Sequence, residues 1–351
     1  MKLCFSLAIV LVGLGVAGGV FDWHIGTILV ARQPRQALAA PGDFSVERVV
    51  LDQADAPELV GWVADRKGSC GAIVLLHGRG ANRLALVQRA KLLFDAGYSV
   101  VLFDLSGHGE SGGAVQGFGY SEGPDAARII TFARQRFPGQ KLGAIGSSLG
   151  AAALVFAAPQ APADAYVLEQ LYATLRETTA WRMPFHFWRG FQADVLLAQM
   201  PLRLGLSADD VKPVDHLAAI GKPLMLLAGS NDPFIDHGQV LALQNAAVGS
   251  QLVWFGGAGH VDLLRYDQLR YSDAIFSFLA TKLCRTGAIH GWRSLNPARD
   301  KALPRCRAAR RLRAERRFAR THRSECRRVD TNSRLCATTA AWLPPRCGGR
   351  S

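Results

Sequence analysis

At 351 residues with nearly half of them apolar, the chain is long enough to bury a sizeable core as one large domain or two small ones. Its net charge of +13 suggests a nucleic-acid partner until it is located: residues 285–351 hold 18 of the 41 Lys+Arg but only 4 of the 28 Asp+Glu. The first 284 residues are therefore close to neutral, and a nucleic-acid-binding fold is not what they describe. The seven cysteines include no C-x-x-C pair, and no histidine pair has zinc spacing, so neither metal nor cofactor is implied. Beyond Cys4 in the N-terminal apolar run, only Cys70 and Cys284 fall in the neutral part, too few to read as a disulfide framework, and the redox compartment stays open.

Leu3 to Phe21 is an uncharged apolar run of 19 residues after Lys2. At about 1.5 Å per residue, a helix of that length approaches the ~30 Å hydrocarbon core of a bilayer. Two expectations follow. One is a retained single-pass anchor over residues 1–31, favoured by the second apolar stretch Ile25 to Ala31 before Arg32 and Arg35. The other is a signal peptide cut near Ala17-Gly18-Gly19, giving a secreted or periplasmic protein. A helix buried against the domain is the third possibility, disfavoured because an apolar N-terminus ahead of any domain has nothing to pack on.

A Pro/Ala linker over residues 32–44 leads into strand and helix patterns that alternate for some 240 residues. Strands are expected at Ser45–Leu51, Leu59–Ala64, Ala72–Leu76, Ser99–Phe103, Leu142–Ile145, Ala165–Leu168, Leu224–Leu227 and Gln251–Phe255. Several are continuous Val/Ile/Leu runs, as parallel strands buried on both faces require. Helical patterns at Arg83–Asp95, Pro124–Arg136, Leu149–Ala158, Gly238–Ala247 and Asp267–Leu283 lie between and after them. The alternation predicts an α/β domain over residues 45–284, with ligands gathered at the carboxyl ends of the strands. Residues 170–220 break the rhythm and are rich in aromatics (Trp181, Phe185, Phe187, Trp188, Phe191), as a small helical lid over an apolar substrate would be. Residues 285–351, dominated by arginine and poor in apolar periodicity, are expected to be a disordered tail.

The chemistry concentrates at Gly146-Ser147-Ser148-Leu149-Gly150, where an apolar strand meets Gly-x-Ser-x-Gly and a helix former follows at once. That context makes the motif a nucleophile elbow, with Ser148 held in a strained turn. A second match, Gly109-Glu110-Ser111-Gly112-Gly113, runs into a glycine-rich loop instead of a helix, so Ser111 is set aside. A serine hydroxyl needs a base with a pKa near neutrality, which selects histidine. His260, in a glycine-rich loop after a strand, is the best placed of nine. Asp232, at the end of another strand, is the carboxylate expected to orient it, with Asp236, Asp209 and Asp210 as outside choices. Oxyanion donors are expected from the backbone N–H of Leu149 and of Arg79 in His77-Gly78-Arg79-Gly80, with His77 ordering that loop.

From about Ser45 to Leu283 these pieces, with Asp104-Leu105-Ser106-Gly107-His108-Gly109-Glu110-Ser111, resemble the α/β-hydrolase-fold serine hydrolases. The resemblance is to the group of serine aminopeptidases, monoacylglycerol lipases and membrane-anchored hydrolase-domain proteins. It implies a mostly parallel eight-stranded sheet flanked by helices, and a Ser148–Asp232–His260 triad in the Ser…Asp…His order of that fold. An acyl ester, lipid-like in view of the apolar lid and N-terminus, is the expected substrate. A peptidase or thioesterase on the same triad, or a non-catalytic binding protein of the same fold, are the alternatives. A peptidase would need acidic groups to hold a substrate amine, and Glu169 is the one candidate.

Overall fold

In the computed structural model, residues 2–284 are described, with side chains omitted for residues 2–4, 7–11 and 14. The arginine-rich tail expected over residues 285–351 lies outside the described residues. Eight strands form: β1 Glu47–Leu51, β2 Leu59–Ala64, β3 Ala72–Leu76, β4 Ser99–Phe103, β5 Leu142–Ser147, β6 Ala165–Glu169, β7 Leu224–Gly229 and β8 Gln251–Phe255. Among them run the helices α1 Lys2–Val30, α2 Val87–Asp95, α3 Gly123–Arg136, α4 Leu149–Ala157, α5 Leu175–Arg182, α6 Arg189–Leu197, α7 Met200–Leu204, α8 Pro213–His216, α9 His237–Ala246, α10 Leu263–Tyr266 and α11 Gln268–Leu283.

The strands join in the order β1-β2-β4-β3-β5-β6-β7-β8. β2 pairs antiparallel with β1 and β4, and every pair from β4 to β8 is parallel. This is the mostly parallel eight-stranded α/β-hydrolase sheet that the resemblance implied, and β3, β4, β6 and β7 are buried at every position, as their continuous apolar runs require. Alternate residues feed two cores: Val74 and Leu76 pack with α3 and α4 on one face, Ile73 and Leu75 with α2 and α11 on the other. α4 is buried along its whole length, which explains a sequence apolar all round rather than along one stripe.

The N-terminal segment departs from expectation. Among the described residues no helix is long and apolar enough to cross a membrane, so the transmembrane anchor finds no support in the structure. The second half of α1 instead packs on the domain, the possibility the sequence made least attractive. Val30 is buried, and Gly26 sits so close to Gln199 that a Cβ would fall 2.4 Å from Gln199 Oε1. Gln199 donates to Asp22 O, Arg203 donates to Trp23 O and lies 4.0 Å over the Trp23 ring, and Arg79 donates to Leu29 O. The physical reason is that α6 and α7, in the lid interval, supply the surface that a domain starting at Ser45 lacked. The helix runs unbroken through Ala17-Gly18-Gly19, and the docked stretch lies beyond that expected cleavage site. Residues 32–44 are also laid on the domain, with Arg32 donating to Ser111 O and Gly113 O and Leu38 N–H donating to Glu110.

Cys70 and Cys284, too few to signal a framework in sequence, are joined by a disulfide across 214 residues, tying the loop before β3 to the end of α11. Closing so long a loop restricts the unfolded chain strongly. Reduction, or the Cys70→Ala/Cys284→Ala double variant, is expected to cost roughly 2–5 kcal/mol of stability. Thermal unfolding with and without reductant checks this, and an unchanged melting temperature would mean the bond carries no such constraint.

Candidate active site

Ser148 stands where β5 turns into α4, with φ 51° and ψ −109°, one of four non-glycine residues at positive φ. The turn is that tight because α4 lies directly on the end of β3. A Cβ on Gly150 would come within 2.6 Å of both Leu76 O and His77 O, and one on Gly146 within 2.5 Å of Gly150 O. Only glycine fits on either side of the serine, so close packing holds Ser148 in its strained conformation. Its N–H donates to Glu169 O at the end of β6.

Asp232 follows β7, with its side chain nearly buried. Oδ1 accepts from Phe234 N–H at 2.9 Å and Ile235 N–H at 3.2 Å, which leaves Oδ2 to meet His260 Nδ1 at 2.6 Å. Nε2 of the same ring lies 3.3 Å from Ser148 Oγ. The loop after β8 that carries His260 is fastened at several points: Asn231 N–H donates to Ala258 O, Gln170 Nε2 to Gly259 O and Tyr266 OH to Gly256 O. Gly229 permits this, since a Cβ there would come within 2.4 Å of Ala258 O. The structure thus brings together the three side chains drawn from separate strand ends.

The other sequence candidates fall elsewhere. Ser111 is buried in a structural role, donating to Asp104 O and accepting from Val60 N–H. Asp236 caps α9 by accepting from Gln239 N–H, while Asp209 pairs with Lys212 and Asp210 closes a turn with Ser207. Glu169 is buried and held by Arg89, which also pairs with Asp262, and by Tyr271 OH. Burial raises the Glu169 pKa and opposes the Arg89 charge, but Glu169, Tyr271 and Asp262 together hold Arg89 above the ordinary arginine value. No carboxylate is left there for a substrate amine.

The loop His77–Gly80 packs under the serine: a Cβ on Gly78 would touch Ser148 Cβ at 3.7 Å. His77 is fully buried, receiving Leu105 N–H on Nε2 while Nδ1 meets Gly78 O. Burial, and then the neighbouring His108, push its pKa down to about 3, so it stays neutral and structural. The N–H of Arg79 has no protein acceptor among the described residues. The N–H of Leu149 is the first of α4 and has no partner within the helix.

A cavity of about 560 Å³ opens over the triad. Its walls include Leu175, Thr178, Arg182 and Met183 from α5 and beyond, Leu196 and Leu197 from α6, and, unforeseen, Ile25 and Leu29 of α1. Phe185, Phe187, Trp188 and Phe191, expected to face a substrate, are exposed and line none of it. The α1 contribution was invisible in sequence because Ile25 and Leu29 are unremarkable in an apolar run; only packing assigns them. Arg182 and Gln170 were missed for the same reason. Phe118, also on the cavity wall, has φ 57° and belongs to a turn whose Gly117 and Gly119 N–H groups donate to Glu122. A hollow of similar volume beside Ala39 and Leu92 contains no triad residue.

Burial pushes the Glu122 carboxyl from 4.5 up to about 7. A carboxyl raised on folding favours the fold fully below its unfolded pKa, and the contribution is lost as pH rises through the folded one. Stability conferred by Glu122 should therefore fall between about pH 4.5 and 7, by a few kcal/mol at most. His77 works in the opposite sense, so the comparison of the parent with Glu122→Gln isolates it. Denaturant unfolding across that range should show the slope difference between the two proteins, and identical slopes would exclude it.

The sequence profile described as Serine aminopeptidase, S33, matches residues 67–171. An uncharacterised protein of Mycobacterium tuberculosis is 28% identical over 291 residues, 80% of this chain and 96% of its own length. The lysophosphatidylserine lipase ABHD12 of Macaca fascicularis is 28% identical over 185 residues, 50% of this chain and 45% of its own. Among solved structures, an esterase of Pyrococcus furiosus superposes with a TM-score of 0.59 at 21% identity, covering 72% of this chain and 98% of its own, a likeness of fold.

Proposed function

We propose that the chain is an α/β-hydrolase-fold serine hydrolase that cleaves an acyl ester through an acyl-enzyme on Ser148. The observation that carries the reading is the hydrogen-bonded line from Asp232 Oδ2 through both His260 nitrogens to Ser148 Oγ. Ser148 Oγ attacks the ester carbonyl while His260 Nε2 takes its proton, and Asp232 holds the Nδ1–H tautomer and stabilises the imidazolium. The developing oxyanion is met by the backbone N–H groups of Arg79 and Leu149, each lowering the barrier by on the order of 3 kcal/mol. His260 then gives its proton to the departing alcohol; water enters, the same base takes its proton as its oxygen bonds the acyl carbon, and that proton returns to Ser148 Oγ as the Oγ–acyl bond breaks and the acid leaves. No step calls for a metal or cofactor.

Support for a lipid-like acyl group comes from the aliphatic lining of the cavity, to which Ile25, Leu29, Leu196 and Leu197 contribute. In this reading the α5–α6 segment is the lid and the end of α1 is a fixed wall. The family name favours a peptidase as the second reading, but Glu169 and Asp262 are both engaged by Arg89 and leave no acidic group to receive an amine.

A fluorophosphonate probe should label the parent and Ser111→Ala but not Ser148→Ala, and Ser148→Ala should lose at least about 10³-fold in esterase activity. Equal labelling of all three would remove Ser148 from the mechanism. The α1 wall makes a separate expectation: Ile25→Trp should shift the preferred acyl chain to shorter esters, read as the ratio of kcat/KM across a chain-length series. An unchanged profile would place the acyl group elsewhere in the cavity.

A further inference from the structure

Three arginines line the cavity over the triad; Arg89 is paired with Glu169 and Asp262, whereas among the described residues Arg182 and Arg79 are in no ion pair. Arg182, the last residue of α5, donates through Nη1 to Thr178 O and Thr178 Oγ1. Its guanidinium carbon lies 4.1 Å over the Phe234 ring, and the other neighbour of that ring is His260, edge-on at 5.6 Å between centroids. One aromatic ring therefore separates Arg182 from the catalytic histidine. Arg79 lines the same cavity; its Nη2 donates to Leu29 O at the end of α1 and it lies 5.9 Å from the Phe118 ring centroid.

Each guanidinium carries five N–H donors, and the bonds just named use only some of them. None of the remainder is a sealed, unpartnered atom, and both residues line the cavity. Nearby carboxylates do not take them up. Asp232 feels Arg182 electrostatically but directs its oxygens to His260 and the Phe234 and Ile235 N–H groups, and Glu122 feels Arg79 but accepts from Gly117 and Gly119. Burial, together with the like charge of Arg79, pulls the Arg182 pKa down to about 10, which still leaves it cationic at neutral pH. Both side chains are still open to solvent, and two like charges with spare donors beside a reacting centre are well placed to be completed by a ligand anion.

We propose that Arg182 and Arg79 form an anion subsite, so that the preferred substrate is an acyl ester whose alcohol half carries a carboxylate or a phosphate. The proposal rests on the esterase reading above: the aliphatic wall takes the acyl chain, and the guanidinium pair takes the charged end of the other half. Arg182 is the specificity-determining member, because Arg79 is tied to Leu29 O and lends its N–H to the oxyanion.

The test uses the full chain, as parent, Arg182→Gln and Arg182→Lys, with three esters of one acyl chain: glycerol, glycerol phosphate and glycerate. The parent should prefer at least one anionic ester over the glycerol ester by about tenfold or more. Arg182→Gln should reduce that preference by about 10- to 100-fold, chiefly through KM, and Arg182→Lys should restore part of it. Preference for the phosphate or for the glycerate ester identifies which anion the subsite reads. A parent indifferent to charge, or an Arg182→Gln variant that loses equally on all three esters, overturns the subsite while leaving the esterase standing. A parent that cleaves none of the three overturns the esterase reading, and the subsite with it.

Discussion

The site depends on the contact of α4 with the end of β3. Gly150 lies against Leu76 O and His77 O with no room for a Cβ, and Gly146 against Gly150 with no more. That approach forces the backbone to reverse within Ser148, lifts its hydroxyl clear of the sheet and aims the first N–H groups of a helix at the same point. The strain is sustained because every residue of α4 is buried, so the helix cannot lift to relieve it. The other parts of the site are arranged around that fixed point.

Two buried ion networks carry the arrangement outward. Arg83 pairs with Asp104 and Glu110 and lies 4.2 Å over the Trp62 ring, securing the loop that follows β4 and, through Glu110, residues 32–44. Arg89 pairs with Glu169 and Asp262, linking α2, the end of β6 and the start of α10 beneath the triad. Each network joins strand ends that diverge in sequence, and removing one member would leave a buried charge without its counterion. These pairs contribute little net stability over an apolar core; they determine where loops sit, which matters in a site assembled from three of them.

The helical segment between β6 and β7 has two faces with different consequences. Its inner aliphatic and cationic side chains help to form the cavity, while Phe185, Phe187, Trp188 and Phe191 are exposed. α1 packs along α6 and closes the cavity from the other side, so a segment that in sequence looks separable is part of the site's architecture. Arg79 connects the two regions chemically, since its guanidinium holds the end of α1 while its backbone lies in the loop beneath Ser148.

Period and punctuation in the sequence were enough for the sheet, because a strand buried on both faces must be a continuous apolar run, and Ala72–Leu76 or Leu224–Leu227 can be little else. They also singled out Ser148 over Ser111, since only one of the two motifs runs into a helix, and Asp232 and His260, which follow strands in glycine-containing turns; these are three side chains that the structure places within hydrogen-bond reach around His260. What they left undetermined is everything that depends on which surfaces meet at long range. The docking of α1, the outward turn of Phe185 and Phe187, the joining of Cys70 to Cys284, and the placement of Arg182 over Phe234 each involve residues ordinary in their local context. Local sequence determines backbone periodicity because sterics and hydrogen bonding act over a few residues. Cavity walls and unpaired charges are properties of packing between distant segments, and only the tertiary structure decided them.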